Sequence, residues 1–213
     1  MRATWRMFVF AAVLVALGAT QVQAMYTPNP AGRWEANRFF LAGDLQYNGD
    51  KDLDDGDGEI DDEVGLFVRP SYSLAPNVTI YGRLGFQDAD HLDAEFAVGA
   101  GIQGAYVLPN ARDWAIGGSF EYLFWDAETN GGGDIDYHEF QITPAISYNV
   151  PQIRALTPYA GIPIDFLSGD LDQEDTVGLM FGTNYDFTER VRLDAQVRFI
   201  SETGFFLSCG YLF

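Results

Sequence analysis

The sequence predicts an all-β chain: a closed antiparallel up-and-down barrel that crosses a membrane with ten strands, eight being the alternative count. Three observations predict it. In residues 204–213, Phe205, Leu207, Cys209, Tyr211 and Phe213 alternate with Phe206, Ser208, Gly210 and Leu212, the period of a strand, and about ten residues is the length of a tilted membrane-crossing strand. Comparable alternating stretches recur along the chain, joined in turn by short Pro/Asn/Asp turns and longer acidic loops, as when the two ends of a barrel face different compartments. Beyond the N-terminus no apolar run approaches the ~20 residues of a helical span, and the hydrophobic fraction is 47%. That ordinary value suits a barrel in which every second residue meets lipid.

Residues 1–24 read as a secretory signal peptide. Arg2 and Arg6 give a positive start, residues 7–19 are apolar, and Val22-Gln23-Ala24 offers small residues for cleavage after Ala24. The apolar run is too short for a transmembrane helix. Cleavage removes two Arg and no acid, so the mature chain carries 10 basic and 31 acidic residues, a formal charge of −21. Nucleic acid is thereby excluded as a partner, because binding phosphates needs a basic face. Cys209 stands alone, so no internal disulfide forms.

Taken in order, residues 25–37, with Pro28, Pro30 and Gly32, show no period and read as a lead-in. The first strand is 38–48, with Phe39, Leu41, Leu45 and Tyr47 on one face and Asp44, Gln46 and Asn48 on the other. A loop over 50–63 carries nine acids and one Lys. Strands follow at 65–74 and 78–87 around the turn Ala75-Pro76-Asn77, then at 93–108 and 114–125 around the turn at 109–113. A Gly-rich acidic loop at 126–136 leads to strands at 137–149 and 155–167, and an acidic loop at 168–175 to strands at 176–186 and 190–200. The terminal strand at 204–213 completes ten. An even count puts both termini at the turn end. Tyr47, Tyr72, Tyr106, Tyr122, Tyr148 and Tyr185 fall near strand ends, where aromatic girdles sit. A soluble sandwich or lipocalin-like barrel would use the same alternation with the apolar face inward; the leader and the terminal strand argue against it.

The alternating last strand, with Tyr211 two places before a final Phe213, resembles the assembly signal of bacterial outer-membrane β-barrels. Thr157-Pro158-Tyr159-Ala160-Gly161 and residues 205–213 resemble the OmpA/OmpX-type and porin-family small barrels. The resemblance implies a bacterial outer-membrane location and a periplasmic segment at 25–37 before a barrel over 38–213. It also implies outer-membrane lipid and lipopolysaccharide as surroundings, and the barrel assembly machinery as a partner reading Tyr211 and Phe213. A small closed barrel needs no neighbours, so a monomer is expected. The role expected is structural, surface or narrow-pore, with a cation- or partner-binding barrel acting through its acidic loops as the alternative.

Parity places a charge network in the interior: Arg69, Arg83, Glu95, Glu121, Asp165, Arg192, Asp194 and Arg198, joined by Asp44, Glu139, Gln46, Gln103 and Gln196. Arg69 and Arg83 are each seven residues from Pro76, so their hairpin sets them opposite one another. Two cations side by side need an anion close by, and Glu95, one diagonal step from Arg83, is the candidate. Because about eight strands already give a lumen that side chains can fill, the interior is expected to be plugged or very narrow.

Catalysis is not expected. His91 and His138 are the only His residues; His138 shares the lipid-facing parity of Phe140, and no nucleophile motif or phosphate loop is present. No organic cofactor is indicated, and calcium is the one ion suggested. Residues 128–139 resemble an EF-hand loop, with oxygens from Glu128, Asn130, Asp136 and Glu139 and a bend at Gly133. Gly132 supplies no ligand at the fifth place and Glu128 replaces the usual Asp. Glu139 and Asp165, each thirteen residues from Gln152, are expected opposite each other at the outer mouth.

Overall fold

The computed structural model describes residues 27–49, 51–52, 59–60, 63–89, 95–128, 134–153, 155–169, 176–199 and 203–213; the expected leader lies outside them. The alternating stretches form β1 Phe39–Asn48, β2 Glu63–Ala75, β3 Val78–Ala89, β4 Glu95–Val107, β5 Trp114–Glu128 and β6 Asp134–Tyr148. Next come β7 (Leu156–Gly161 with Ile164–Gly169), β8 (Thr176–Val177 with Leu179–Asp186), β9 Val191–Phe199 and β10 Thr203–Leu212. Each pairs antiparallel with its neighbours in sequence, and β1 pairs with β10 from Phe40↔Leu212 to Asn48↔Gly204. The sheet is therefore a closed ten-stranded barrel without an open edge. A separate two-residue pairing, Lys51–Asp52 with Glu59–Ile60, lies in the first long connection.

The interruptions in β7 and β8 flank Pro163, which has no N–H to give to the ladder. The register is unchanged across them, with Ala145↔Gly161 and Ile142↔Ile164 on one side and Gly161↔Met180 and Ile164↔Val177 on the other. Strands β5 and β6 run further toward the loop end than the hydrophobic pattern indicates, since Asp126↔Asp136 and Glu128↔Asp134 are still paired. Acidic side chains end the lipid-facing pattern there, but the backbone ladder continues into water.

Burial is inverted relative to a soluble domain. Leu66, Val68, Leu84, Phe86, Phe96 and Phe205 are exposed, whereas Asp44, Gln46, Arg69, Arg83, Glu121, Gln141 and Arg198 are buried. With Leu66 62% and Phe86 60% exposed against 0% for Arg83 and Arg198, the apolar face can only be the lipid face. On that face His138 lies beside Tyr122, whose hydroxyl is 2.8 Å from His138 Nδ1, as expected of a polar residue near the membrane rim.

Short turns close one end. At the β2–β3 turn Asn77 takes φ 59°, a left-handed conformation that Asn tolerates better than most residues. Its side-chain Oδ1 accepts from Trp34 N at 3.1 Å and its own N donates to Trp34 O at 2.9 Å. Of the segment expected over 25–37, residues 25–26 lie outside the described residues, and this clamp holds Trp34 at the turn end. Residues 27–32 are buried inside the barrel, and only from Trp34 onward does the chain cross the turn-end rim to enter β1.

The C-terminus is seated at the same rim. Phe213 N donates to Phe39 O at 2.9 Å, and the Phe213 ring packs against Phe39 and Tyr211 with centroids 5.5 and 4.9 Å apart. Tyr211 and Phe213 face outward while Leu212 turns toward the mouth. Phe213→Ala and Tyr211→Ala are therefore expected to lower the yield of folded barrel more than Leu212→Ala. The fraction migrating as the compact form on unheated gels measures this; equal yields for all three would remove the assembly role from Tyr211 and Phe213.

The barrel interior as candidate functional site

Most of the predicted interior residues meet at mid-height, where facing strands bring their central inward positions level. Arg69 Nε and Nη2 donate to Asp44 at 2.7 and 3.1 Å, and Nη2 also reaches Ser208 Oγ at 3.2 Å. The flanking pairs Val68↔Leu84 and Ser71↔Tyr81 set Arg69 opposite Arg83, as the spacing about Pro76 predicts. Arg83 Nη1 donates to Glu121 Oε1 and Nη2 to Gln46 Oε1, both at 3.0 Å, with the guanidinium 4.1 Å from the centre of the Phe67 ring. Arg198 donates to Gln141 at 3.1 Å and lies over Phe206, and Gln141 donates to Asp165. Each cation is thus met by an acceptor and an aromatic face, which offsets the loss of water from a buried charge.

Glu121, not Glu95, is the carboxylate that holds Arg83. The register puts Glu95 opposite Gln87 and Arg83 opposite Gly99, four residues away; the Glu95 side chain lies outside the described residues. Arg83 reaches past β4 to β5 because β4 is bare at that level. Gly101 is paired on one side with Tyr81 and on the other with Glu121. The Tyr81 ring lies over Gly101, so that a Cβ there would be 2.4 Å from Tyr81 Cζ, and the Tyr81 hydroxyl reaches Glu121 at 2.7 Å. The same device recurs at Gly182, covered by Tyr159, whose hydroxyl donates to Asp194 at 2.8 Å. Tyr81, Tyr159 and these two glycines were not singled out from the sequence as interior residues. An inward aromatic facing an inward glycine across a hairpin was the available signal.

Arg192 belongs to the turn-end mouth and not to the central belt. It is half-buried, donates to Asp186 at 2.6 and 3.2 Å, and stacks 4.5 Å from the centre of the Trp34 ring. It lines a mouth cavity of about 670 Å³ together with Arg33, Arg38 and Arg190. Partial burial holds the Arg33 guanidinium below its usual pKa, with Asp113 pulling the other way.

Of the EF-hand-like set, the ladder places the backbones of Glu128 and Glu139 far apart. Glu139 is buried in β6 opposite Leu123, five residues along the ladder from Asp134, the partner of Glu128. At ~3.4 Å per residue that separation is about 17 Å. The side chains of Glu128, Asn130 and Asp136 lie outside the described residues, and among the described residues no group of three or more potential metal ligands occurs. The expected facing of Glu139 and Asp165 is also corrected. Asp165 pairs with Gln141 and Glu139 with Leu167, because the hairpin is centred on Ile153 and not on Gln152. The two carboxylates are neighbours one step apart on one face.

Below the belt, residues 27–32 fill the turn-end half of the lumen. The Thr27 hydroxyl donates to Gln141, Asn29 Nδ2 donates to Asn184 Oδ1 at 2.6 Å, and Ser147 Oγ donates to Ala31 O at 2.8 Å. Charge pairs occupy the interior at mid-height, and the chain's own residues 27–32 lie underneath them.

Three solved structures share the barrel architecture. The β-domain of the Bordetella autotransporter BrkA matches with 12% identity and a TM-score of 0.53, covering 83% of this chain and 98% of its own. An outer-membrane channel from Pseudomonas putida F1 matches with 12% identity and a TM-score of 0.53, covering 89% of this chain and 100% of its own. The translocator domain of the autotransporter NalP from Neisseria meningitidis matches with 13% identity and a TM-score of 0.50, covering 100% of this chain and 96% of its own. At such identities the likeness is one of fold. No curated protein matches the sequence. The family model of the outer membrane protein beta-barrel domain matches residues 10–205, and the chain, a barrel of the bacterial outer membrane, belongs to that family.

Proposed function

We propose that this protein is a sealed barrel that holds a strongly acidic surface at the cell exterior, and not an open porin. The observation that carries this reading is the occupied lumen: Arg83, Arg198, Phe67, Phe206, Leu123, Met180, Gln46, Gln141, Glu121 and Glu139 are all fully buried. Arg83 and Glu121 are each 0% exposed at their contact, which supports a sealed lumen. The acidic surface follows from the sequence mapped onto the topology. Residues 49–63, 87–95, 126–137, 168–175 and 200–203, at the loop end, hold 22 of the 31 acids and a single Lys. Outward display of that end follows the usual arrangement of short periplasmic turns and longer external loops. Such a surface suits cations, cationic partners or divalent-bridged lipopolysaccharide.

Planar bilayers give the test. The wild type is expected to leave the bilayer electrically silent. Clear, reproducible unitary openings from the pure folded protein would overturn the reading in favour of a narrow channel.

A further inference from the structure

The N-terminal segment is bound inside the barrel in the manner of a ligand. Residues 27–37 form no strand and join no ladder. The buried part, Thr27-Pro28-Asn29-Pro30-Ala31-Gly32, carries no charge, and its two prolines bring no N–H that would need a partner. It is instead held by side chains of the wall. Gln141 and Asn184 accept from Thr27 and Asn29, and Ser147 donates to Ala31 O. In the amide orientation that satisfies both its ends, Gln196 donates to Thr27 O at 2.9 Å.

The wall is shaped for this occupant. Gly117 lies directly beneath it, and a Cβ there would come within 2.6 Å of Pro30 O and 2.9 Å of Ala31 Cα. Thr27 lies level with Gln141, the midpoint of β6, at the height of the charge belt. Segment and belt meet at Gln141, which accepts from both Thr27 and Arg198. The belt is made by the strands themselves, whereas the segment belongs to no strand and is held by these wall side chains and by the clamp between Trp34 and Asn77 ahead of β1.

We propose that the turn-end half of the lumen is a binding pocket for an extended, uncharged, proline-containing peptide. Residues 27–32 fill it in cis, and the same peptide fills it in trans when they are removed. In the orientation proposed above, the pocket opens toward the periplasm and reaches the belt at Gln141.

The experiment uses a Cys209→Ser, Ser119→Cys chain in detergent, labelled with a small charged methanethiosulfonate. Ser119 faces inward on β5 and is 6% exposed, and its hydroxyl has no hydrogen-bond partner among the described residues, so the reporter removes no contact of the segment. Deleting residues 27–32 is expected to raise the labelling rate about tenfold or more, tenfold being what ~1.4 kcal/mol of lost docking represents. Adding N-acetylated, C-amidated Thr-Pro-Asn-Pro-Ala-Gly should restore protection saturably, and the Asn29→Ala peptide should protect less well. Slow labelling of a folded deletion chain, or failure of the hexapeptide to protect it, overturns the pocket. Folding is read independently from the gel shift on heating. Should the deletion chain not fold, Asn29→Ala in the full chain keeps the test open: faster labelling supports the proposal, and an unchanged rate defeats it.

Discussion

Arg83→Ala is expected to destabilise the barrel by about 3–5 kcal/mol, the usual cost of removing one partner from a buried ion pair. The loss is large because both groups are fully out of water: Arg83 and Glu121 are each 0% exposed, with nitrogen and oxygen 3.0 Å apart. Removal leaves the Glu121 carboxylate with the Tyr81 hydroxyl at 2.7 Å but without its counter-ion, and takes from Gln46 a donor at 3.0 Å. Urea unfolding of vesicle-folded protein, followed by gel shift, measures the change. Arg83→Met combined with Glu121→Gln should recover most of the loss, since no uncompensated charge then remains. Arg192→Ala at the mouth, where Arg192 and Asp186 side chains are 23% and 41% exposed, should cost no more than about 1 kcal/mol, as exposed pairs do. A loss for Arg83→Ala as small as that for Arg192→Ala would show that the belt does not hold the barrel together.

Gly101→Val is the second large effect. The new Cβ would stand 2.4 Å from Tyr81 Cζ and 2.5 Å from its hydroxyl oxygen, so the ring has to leave. Overpacking of this kind costs about 1–3 kcal/mol, and the lost hydrogen bond to a carboxylate about 1.5–3 kcal/mol more. Gly43→Val is the control. Gly43 is on the lipid face, with nothing within 4 Å of its virtual Cβ, and its replacement should change stability by no more than about 0.5 kcal/mol. Tyr81→Phe separates the two contributions, because it deletes the hydroxyl while leaving the ring over the glycine. Unfolding midpoints of the three variants decide the matter. Gly101→Val matching Gly43→Val would mean that Tyr81 is not fixed above β4.

What could be read in the sequence follows from what a strand makes periodic. Alternation assigns each side chain to lipid or lumen without knowledge of the partner strand, which is why Asp44, Arg69, Glu121, Asp165 and Arg198 were all assigned inward and are buried. Register is harder, because one residue's uncertainty in a turn moves every facing pair by two. That is how Glu139 came to be expected opposite Asp165 when Leu167 holds that place. Partners two strands apart are invisible to reasoning by adjacent strands, and Arg83 reaches Glu121 only across the bare stretch at Gly99 and Gly101. Residues 27–32 carry no period and gave no strand signal. Their lack of any charge, in a chain with 31 acids, was the one available hint that they avoid water.

The uneven sharing of charge between the two ends has a kinetic consequence. The N-terminal segment, the four short turns and the strand ends beside them include Arg33, Arg38, Arg112, Arg154, Arg190 and Arg192, six of the ten basic residues that follow residue 24, while 22 carboxylates sit in the connections that finish outside in the orientation proposed above. It is the carboxylate-bearing hairpin tips that must pass through hydrocarbon, at several kcal/mol for each ionised group left unaccompanied. Translocation one tip at a time through intact lipid would therefore be prohibitively slow, and the tips need a wet or thinned passage while the barrel is still open. Once the seam between β1 and β10 has closed, the same carboxylates bar the way back. The molecule behaves as a rivet with one head: driven in from a single side, and unable to invert.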